Sequence, residues 1–278
     1  MGIQIPSFQI RIQIRASRVL MMKGKKIEKR VDLMVDKLFN SLIDDVGVFD
    51  GSEKIRLNNP ILIKEIIRYV RCLRDGSADL TEVLEESYIH KNGFQKIVLG
   101  RREGFALRFH RYLPGVGDQN VHDHRWSRMD SYVIEGGLSA DYLCHGQESE
   151  DGVEPWETHT YRKIKSDYVV EHKGTSYLKL EKNVIHDIGT TYSMDSYQLH
   201  RILPSNTDVA TLVVTHPVPR ARVWCNLYQK EIIEELEPVH EIRLTEDEML
   251  DSLKHLETLL SNQLCNELRM NSIEKVVA

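Results

Sequence analysis

Residues 115–136 read GVGDQNVHDHRWSRMDSYVIEG, and the pair His122 and His124 at the centre of that stretch decides how the rest of the chain is read. Side chains on a β-strand alternate between faces, so two histidines separated by one residue project from the same side. Two imidazoles on one face can share one metal ion. A glycine-containing turn precedes the pair, and a strand-like run ending in Glu135-Gly136-Gly137 follows it. Farther on, residues 189–200 read GTTYSMDSYQLH. Together the two stretches predict a β-barrel with a metal inside its mouth.

The chain around them has the punctuation of a many-stranded β region from Gly93 to about Tyr228. Strand patterns run over 94–99, 105–113, 121–125, 131–135 and 138–144. They resume at 158–163, 168–171, 176–180 and 184–188, and close with 192–194, 199–203 and 209–215. Many short strands at regular spacing with turns between them predict a sandwich or barrel. On either side the period becomes helical. Val31, Met34, Val35, Leu38, Leu42 and Ile43 share one helical face. Asn59-Pro60 opens a second helix with an apolar stripe of Ile61, Ile63, Ile66, Ile67, Val70 and Leu73, and Leu80 to Tyr88 reads as a short third. After the β region, Gln229 to Leu236 is a short helix stopped by Pro238. Thr245-Glu246-Asp247-Glu248 is a capping box that opens a helix striped by Met249, Leu253, Leu256, Leu259 and Leu260, with a tail from Asn271 expected to fray. The expected division is an N-terminal helical extension over 1–92 packing on the barrel, the barrel over 93–228, and a C-terminal helical extension over 229–278.

Composition excludes several classes. The hydrophobic share of 41% and charged share of 28% are those of a soluble globular protein. A net charge of -5 does not suit nucleic acid or an anionic membrane as the main partner. No apolar run approaches the ~18 residues of a membrane span. Cys72, Cys144, Cys225 and Cys265 are scattered with no CxxC pair, which argues against a thiolate zinc site and for reduced thiols in a cytoplasmic protein. Residues 8–15 alternate Phe8, Ile10, Ile12 and Ile14 with Gln9, Arg11, Gln13 and Arg15, a strand pattern rather than that of a signal peptide, so residues 1–16 are read as an edge strand or a poorly ordered terminus.

Gly115 or Gly117, His122, His124 and Gly136 resemble the first motif of the cupin family. Residues 189–200 have the spacing of its second motif, with Asp195-Ser196-Tyr197 where that motif carries a Pro-x-Gly turn. The resemblance covers roughly residues 93–228. It implies a mainly β fold, a cupin barrel (double-stranded β-helix, or jelly roll) with helices at both ends. It implies His122, His124 and His200 as metal ligands, with His186 as the competing third ligand because Asn183 to His186 loosely mimics the second motif. The family's Glu ligand falls at Arg128 or Met129.

A three-histidine site without that carboxylate is similar to the thiol dioxygenase branch that includes cysteine dioxygenase. Ala106 to His124 aligns with that branch without a gap, as do the Leu199-His200-Arg201-Ile202 run and the strand that follows. The resemblance implies Fe(II), with substrate and O2 meeting at the metal. Zn(II) is the alternative, because imidazole suits both. The branch's carboxylate-binding arginine falls at Lys96, its crosslinking cysteine at Met129, and its Ser-His-Tyr relay at Thr211, Val213 and Thr215. Lys96 and Met129 are thereby substrate-side positions. By the ungapped match Arg111 points inward, either as a substrate clamp or in a salt bridge to an acid at the rim. Tyr197 and His216 are candidates to supply a proton near the metal. Asp123 is expected to face away from the metal, Trp126 to pack, and Arg125 and Arg128 to be rim charges. Cupins often pair through edge strands, so a homodimer is expected.

Three readings follow. The first is an Fe(II) dioxygenase-like oxidoreductase acting on a small polar substrate, amino-acid-like or thiol. The second is a non-redox zinc cupin acting as a Lewis acid in isomerisation, elimination or amine condensation. The third is a non-enzymatic cupin that binds a small ligand.

Overall fold

The computed structural model describes residues 35–40, 55–164, 167–219, 224–232 and 242–277. Residues 35–40 are helical (α1) and are followed by α2 (Pro60–Arg74) and α3 (Thr81–Glu86). The strands begin with β1 (Tyr88–Ile89), β2 (Gln95–Arg102), β3 (Phe105–Tyr112), β4 (Val121–His122), β5 (Arg128–Glu135) and β6 (Leu138–His145). Next come β7 (Val153–Ile164), β8 (Asp167–His186), β9 (Thr191–Asp195), β10 (Leu199–Ile202), β11 (Val209–Thr215), β12 (Cys225–Gln229) and β13 (Ile242–Arg243). The last element is α4 (Glu246–Val277).

Eight of these strands form a jelly roll. One sheet contains the order β3-β11-β5-β9, and the other contains β4-β10-β6-β8, all neighbours antiparallel. The chain crosses between the sheets at every step of the eight except from β6 to β8, where it folds back on itself. That reversal pairs the first four strands with the last four, which is the double-stranded β-helix of the cupin fold. The sequence-derived fold class is therefore the observed one. β13, β1 and β2 widen the first sheet, while β12 and β7 link β4 to β8, so that the second sheet closes on itself.

The first sheet is covered on both faces. Leu107 and Phe109 of β3, Tyr132 and Ile134 of β5, and Leu212 and Val214 of β11 point outward into a core shared with α2 and α4. Their neighbours of opposite parity, Tyr112, Met129, Val133 and Val213, point inward, where they meet Leu138, Ala140, Tyr142 and Ile202 of the second sheet. All seven residues of β11 are buried for this reason. A strand buried on both faces loses the alternation that would reveal its parity.

Helices α2 and α4 begin where side chains satisfy their free N–H groups. The Asn59 side chain accepts from the Ile61 N–H at 2.8 Å, and Pro60 takes the first helical position. The Thr245 N–H donates to Glu248 Oε2 at 2.8 Å while the Glu248 N–H donates to Thr245 Oγ1 at 3.3 Å, so the expected capping box forms. Met249, Leu253, Leu256 and Leu260 are then fully buried against the sheet and α2. Glu257 ties the two helices by accepting from Arg71 and Arg74.

Several expectations are corrected. β8 is one continuous strand rather than three, pairing with β7 up to Lys179 and with β6 from Leu178 onward. Gly174, at φ +105°, sits beside the bulge at Thr158/His159 and lets the long strand turn without ending. Ile61 faces solvent rather than the helix stripe. α4 continues to Val277 instead of fraying from Asn271. The helix expected to start at Gln229 does not: Gln229 ends β12 and residues 230–232 are not helical. The expected edge strand at 8–15, residues 233–236 and most of the helix around 31–43 lie outside the described residues.

Candidate metal centre

His122 closes β4 and His200 lies in β10, where the two are directly paired across the strands. His124 lies just past β4, and its backbone N–H donates to the Ser196 carbonyl at 3.1 Å in the turn that leads into β10. The three rings converge, with centroids 4.6 Å (His122–His200), 4.9 Å (His124–His200) and 5.1 Å (His122–His124) apart. One ring nitrogen from each lies within 4.8 Å of the other two, close enough to share an ion.

The electrostatics suit that task. Burial lowers the pKa of His122 to about 4 and of His200 to about 4, and pushes His124 well below the usual imidazole range. All three are neutral at pH 7, the form that binds metal. His200 Nδ1 lies 3.1 Å from the Gln198 carbonyl; donating there leaves Nε2 as the free lone pair. His122 Nδ1 and His124 Nε2 are buried with no hydrogen-bond partner. Orphaned imidazole nitrogens in a converging trio fit a bound divalent ion, because coordination would satisfy them.

The sign of the acid response follows. These histidines have folded pKa values below the unfolded value of about 6.5, so the unfolded chain binds more protons between about pH 6.5 and pH 4. The metal-free protein should therefore hold its full stability above about pH 6.5 and lose it as the pH falls toward 4. Urea denaturation midpoints of wild type and of His200→Ala across that range check this. The variant, with one fewer buried imidazole, should fall less steeply.

The remaining sequence-derived residues divide sharply. His186 is not part of the trio: its Nε2 is 2.9 Å from the Tyr142 hydroxyl, and its ring stacks on Tyr192 at 4.0 Å. Asp123 faces away as expected, accepting from the Asn226 N–H at 2.8 Å and Nδ2 at 2.6 Å on β12. Met129 lies in the inner cluster, against which Trp126 packs. Lys96 is on the inner face of β2, opposite His110, and donates from Nζ to the Tyr88 hydroxyl at 2.6 Å.

Arg111, by contrast, is on the outer face, where Nη1 sits 3.5 Å from Asp251 of α4. Of its two expected roles the structure shows the ion pair and not the inward clamp, because the parity of β3 is opposite to the one the ungapped match gives. Tyr197 is 75% exposed in the β9–β10 turn rather than lining the site. His216 is also displaced from the expected place: its Nε2 is 2.8 Å from Asp130 on the helix side of the sheet. Asp130 further accepts from Arg128 Nε at 3.0 Å, so Arg128 is an anchor rather than a rim charge. Asp130→Ala would remove a buried acceptor shared by His216, Arg128 and Ser193 and should cost about 3–5 kcal/mol in urea unfolding without lowering metal content.

Three residues the sequence reading passed over stand at the site or on the inner face that leads to it. Asp118 is buried with Oδ2 4.0 Å from His122 Nδ1, and it accepts from the Ile202 N–H at 2.7 Å, pinning the turn before β4 to β10. Arg108 and His110 occupy the inward positions of β3 that the parity shift vacates for them. Arg108 is only 2% exposed, and its guanidinium lies 4.4 Å over the Trp126 ring, which in turn lies 4.6 Å from the His124 ring.

No family model matches the sequence, and no curated protein matches it. Among solved structures, protein TT1209 from Thermus thermophilus is similar over 51% of this chain and 96% of its own, at 18% identity and a TM-score of 0.29. Hydroquinone 1,2-dioxygenase PnpCD, solved with Cd2+ and 4-hydroxybenzonitrile, is similar over 52% of this chain and 76% of its own, at 15% identity and a TM-score of 0.30. Oxalate oxidase, solved with the substrate analogue glycolate, is similar over 41% of this chain and 42% of its own, at 12% identity and a TM-score of 0.26. Similarity at this level says nothing of chemistry.

Proposed function

We propose that this protein is a metal-dependent cupin enzyme that holds Fe(II) on His122, His124 and His200 and uses O2 to oxidise a small polar substrate, amino-acid-like or thiol. The observation that carries the reading is the convergence of three neutral imidazoles whose ring nitrogens lie within 4.8 Å of one another, with the Asp118 carboxylate 4.0 Å from His122 Nδ1 and turned to the Ile202 N–H. Three neutral ligands bring no charge of their own to a divalent ion and leave coordination positions open, which favours an anionic donor atom from a substrate over a closed structural site. Bound iron would supply those positions and the electron chemistry that dioxygen needs.

The chain's own residues do the rest. Gln198 fixes the tautomer of His200, and Asp118 holds the turn that carries His122. Phe94, Tyr112 and Trp126 give the inner face an apolar wall that keeps water from the reacting groups. Lys96 and Met129 stand on that same face as substrate-side positions.

The test is oxygen uptake by protein reconstituted anaerobically with Fe(II) and offered cysteine, cysteamine or 3-mercaptopropionate. Uptake that requires iron and vanishes in His124→Ala supports the proposal. Stoichiometric zinc as purified, with no uptake after iron loading, overturns it in favour of Lewis-acid chemistry at the same trio.

A further inference from the structure

The inner wall beside the trio contains a charge that the protein does not neutralise. Arg108 projects from the middle of β3, between Val98 of β2 and Val213 of β11, into the space enclosed by the two sheets. It is almost wholly buried, and neither Nε nor Nη1 has a hydrogen-bond partner. Arg101 and Arg125 oppose its charge, while Tyr88 and Glu86 favour it from a distance; none of them hydrogen-bonds to it, Glu86 being engaged with Arg101 at 2.9 Å and the Tyr88 hydroxyl with Lys96. Burial lowers its pKa to about 9, so it is still protonated at pH 7. Lys96 lies on the neighbouring strand of the same face, two residue pairs along the register.

A buried guanidinium with unsatisfied N–H groups is costly unless an anion completes it. Trp126 fixes its plane by stacking, so the free donors are held in one orientation, and a guanidinium fork so held takes an oxyanion in parallel hydrogen bonds. The same tryptophan touches His124. An oxyanion on Arg108 and a donor atom on the trio are therefore within the span of one small molecule.

We propose that Arg108 anchors an oxyanion of the substrate, so that this centre takes small organic acids whose other end reaches the metal. A carboxylate, sulfonate or phosphate shares the required chemistry. The inference rests on the reading of the trio as a metal centre for its second half only. It moves the anion site from Lys96, where the sequence resemblance places it, to the neighbouring strand of the same face.

The test compares wild type, Arg108→Leu and Arg108→Lys as full-length protein. Calorimetric titration of zinc-loaded, redox-silent protein uses 3-mercaptopropionate and cysteamine, which share a thiol and differ in the charge of the other end. Wild type should bind 3-mercaptopropionate at least about 30-fold more tightly than cysteamine. Arg108→Leu should erase that preference, and Arg108→Lys, which keeps the charge but not the fork, should retain part of it. Equal binding of both thiols by wild type, or undiminished 3-mercaptopropionate binding by Arg108→Leu, overturns the proposal.

Metal-free protein titrated with acetate, methanesulfonate and inorganic phosphate separates this inference from the metal reading. Oxyanion binding that depends on Arg108 in a protein that takes up no metal upholds the anchor and removes the enzyme reading. Metal uptake with no Arg108-dependent anion binding does the reverse. Arg108→Leu should also raise the melting temperature of the ligand-free protein by about 3 °C, since an unpaired buried charge is removed at similar volume. A lower melting temperature would mark Arg108 as structural and sink the proposal.

Discussion

His200→Ala should strip the protein of metal. Dialysed wild type is expected to carry close to one divalent ion per chain, and the variant less than a tenth of that, because a site of three ligands reduced to two loses at least about 100-fold in affinity. The fold should survive. The imidazole of His200 is neutral and gives up one hydrogen bond, to the Gln198 carbonyl, so the loss to stability is that of a partly filled cavity, about 1–3 kcal/mol. His186→Ala is the matching control. It removes a partner of the Tyr142 hydroxyl and a stacking surface from Tyr192, yet it should leave metal content unchanged. Metal content by mass spectrometry and circular dichroism on the same samples separate loss of a ligand from loss of the fold.

Phe109→Ala should be the most damaging single truncation among the core positions of β3. The ring is fully buried on the outer face of the first sheet, paired between Ile97 of β2 and Leu212 of β11, in the core shared with α2 and α4. Neighbouring strands cannot collapse into the space, so the expected loss is about 3–5 kcal/mol in urea unfolding. The same substitution decides the parity of the strand. If Phe109 faced the barrel interior, its removal would open space beside the histidine trio and change ligand binding; facing the helices, it should change stability and leave ligand binding at the trio alone.

That parity shows where the sequence stops speaking. The jelly roll was legible because its punctuation is chemical: Pro114-Gly115 and Gly136-Gly137 turn the chain, and glycines such as Gly136, at φ +66°, adopt a backbone that side chains disfavour. The trio was legible because His122 and His124 are close in sequence and His200 follows a glycine-led turn at a set distance. β3 was not legible in the same way. Its residues Phe105 to Tyr112 mix apolar and basic types on both faces, because one face meets the helices and the other meets the inner cluster between the sheets. With both faces buried, period-two alternation carries no sign, and the inward arginine is Arg108 instead of Arg111. His216 misled for a related reason. It follows β11 closely, but its side chain turns to Asp130 on the helix side. β8 was read as three strands since lysines, glutamates and Gly174 interrupt it, yet a long hairpin partner, β7, keeps it paired through its first two-thirds and β6 takes over from there.

The proposed iron centre makes one spectroscopic demand above all others. X-ray absorption at the iron edge of the Fe(II)-loaded wild type should show three imidazole ligands at about 2.0–2.2 Å and lighter oxygen scatterers filling the open positions, with two imidazoles left in any iron that His200→Ala retains. Iron held by fewer than two imidazoles in wild type, or a spectrum unchanged by the substitution, would contradict the account.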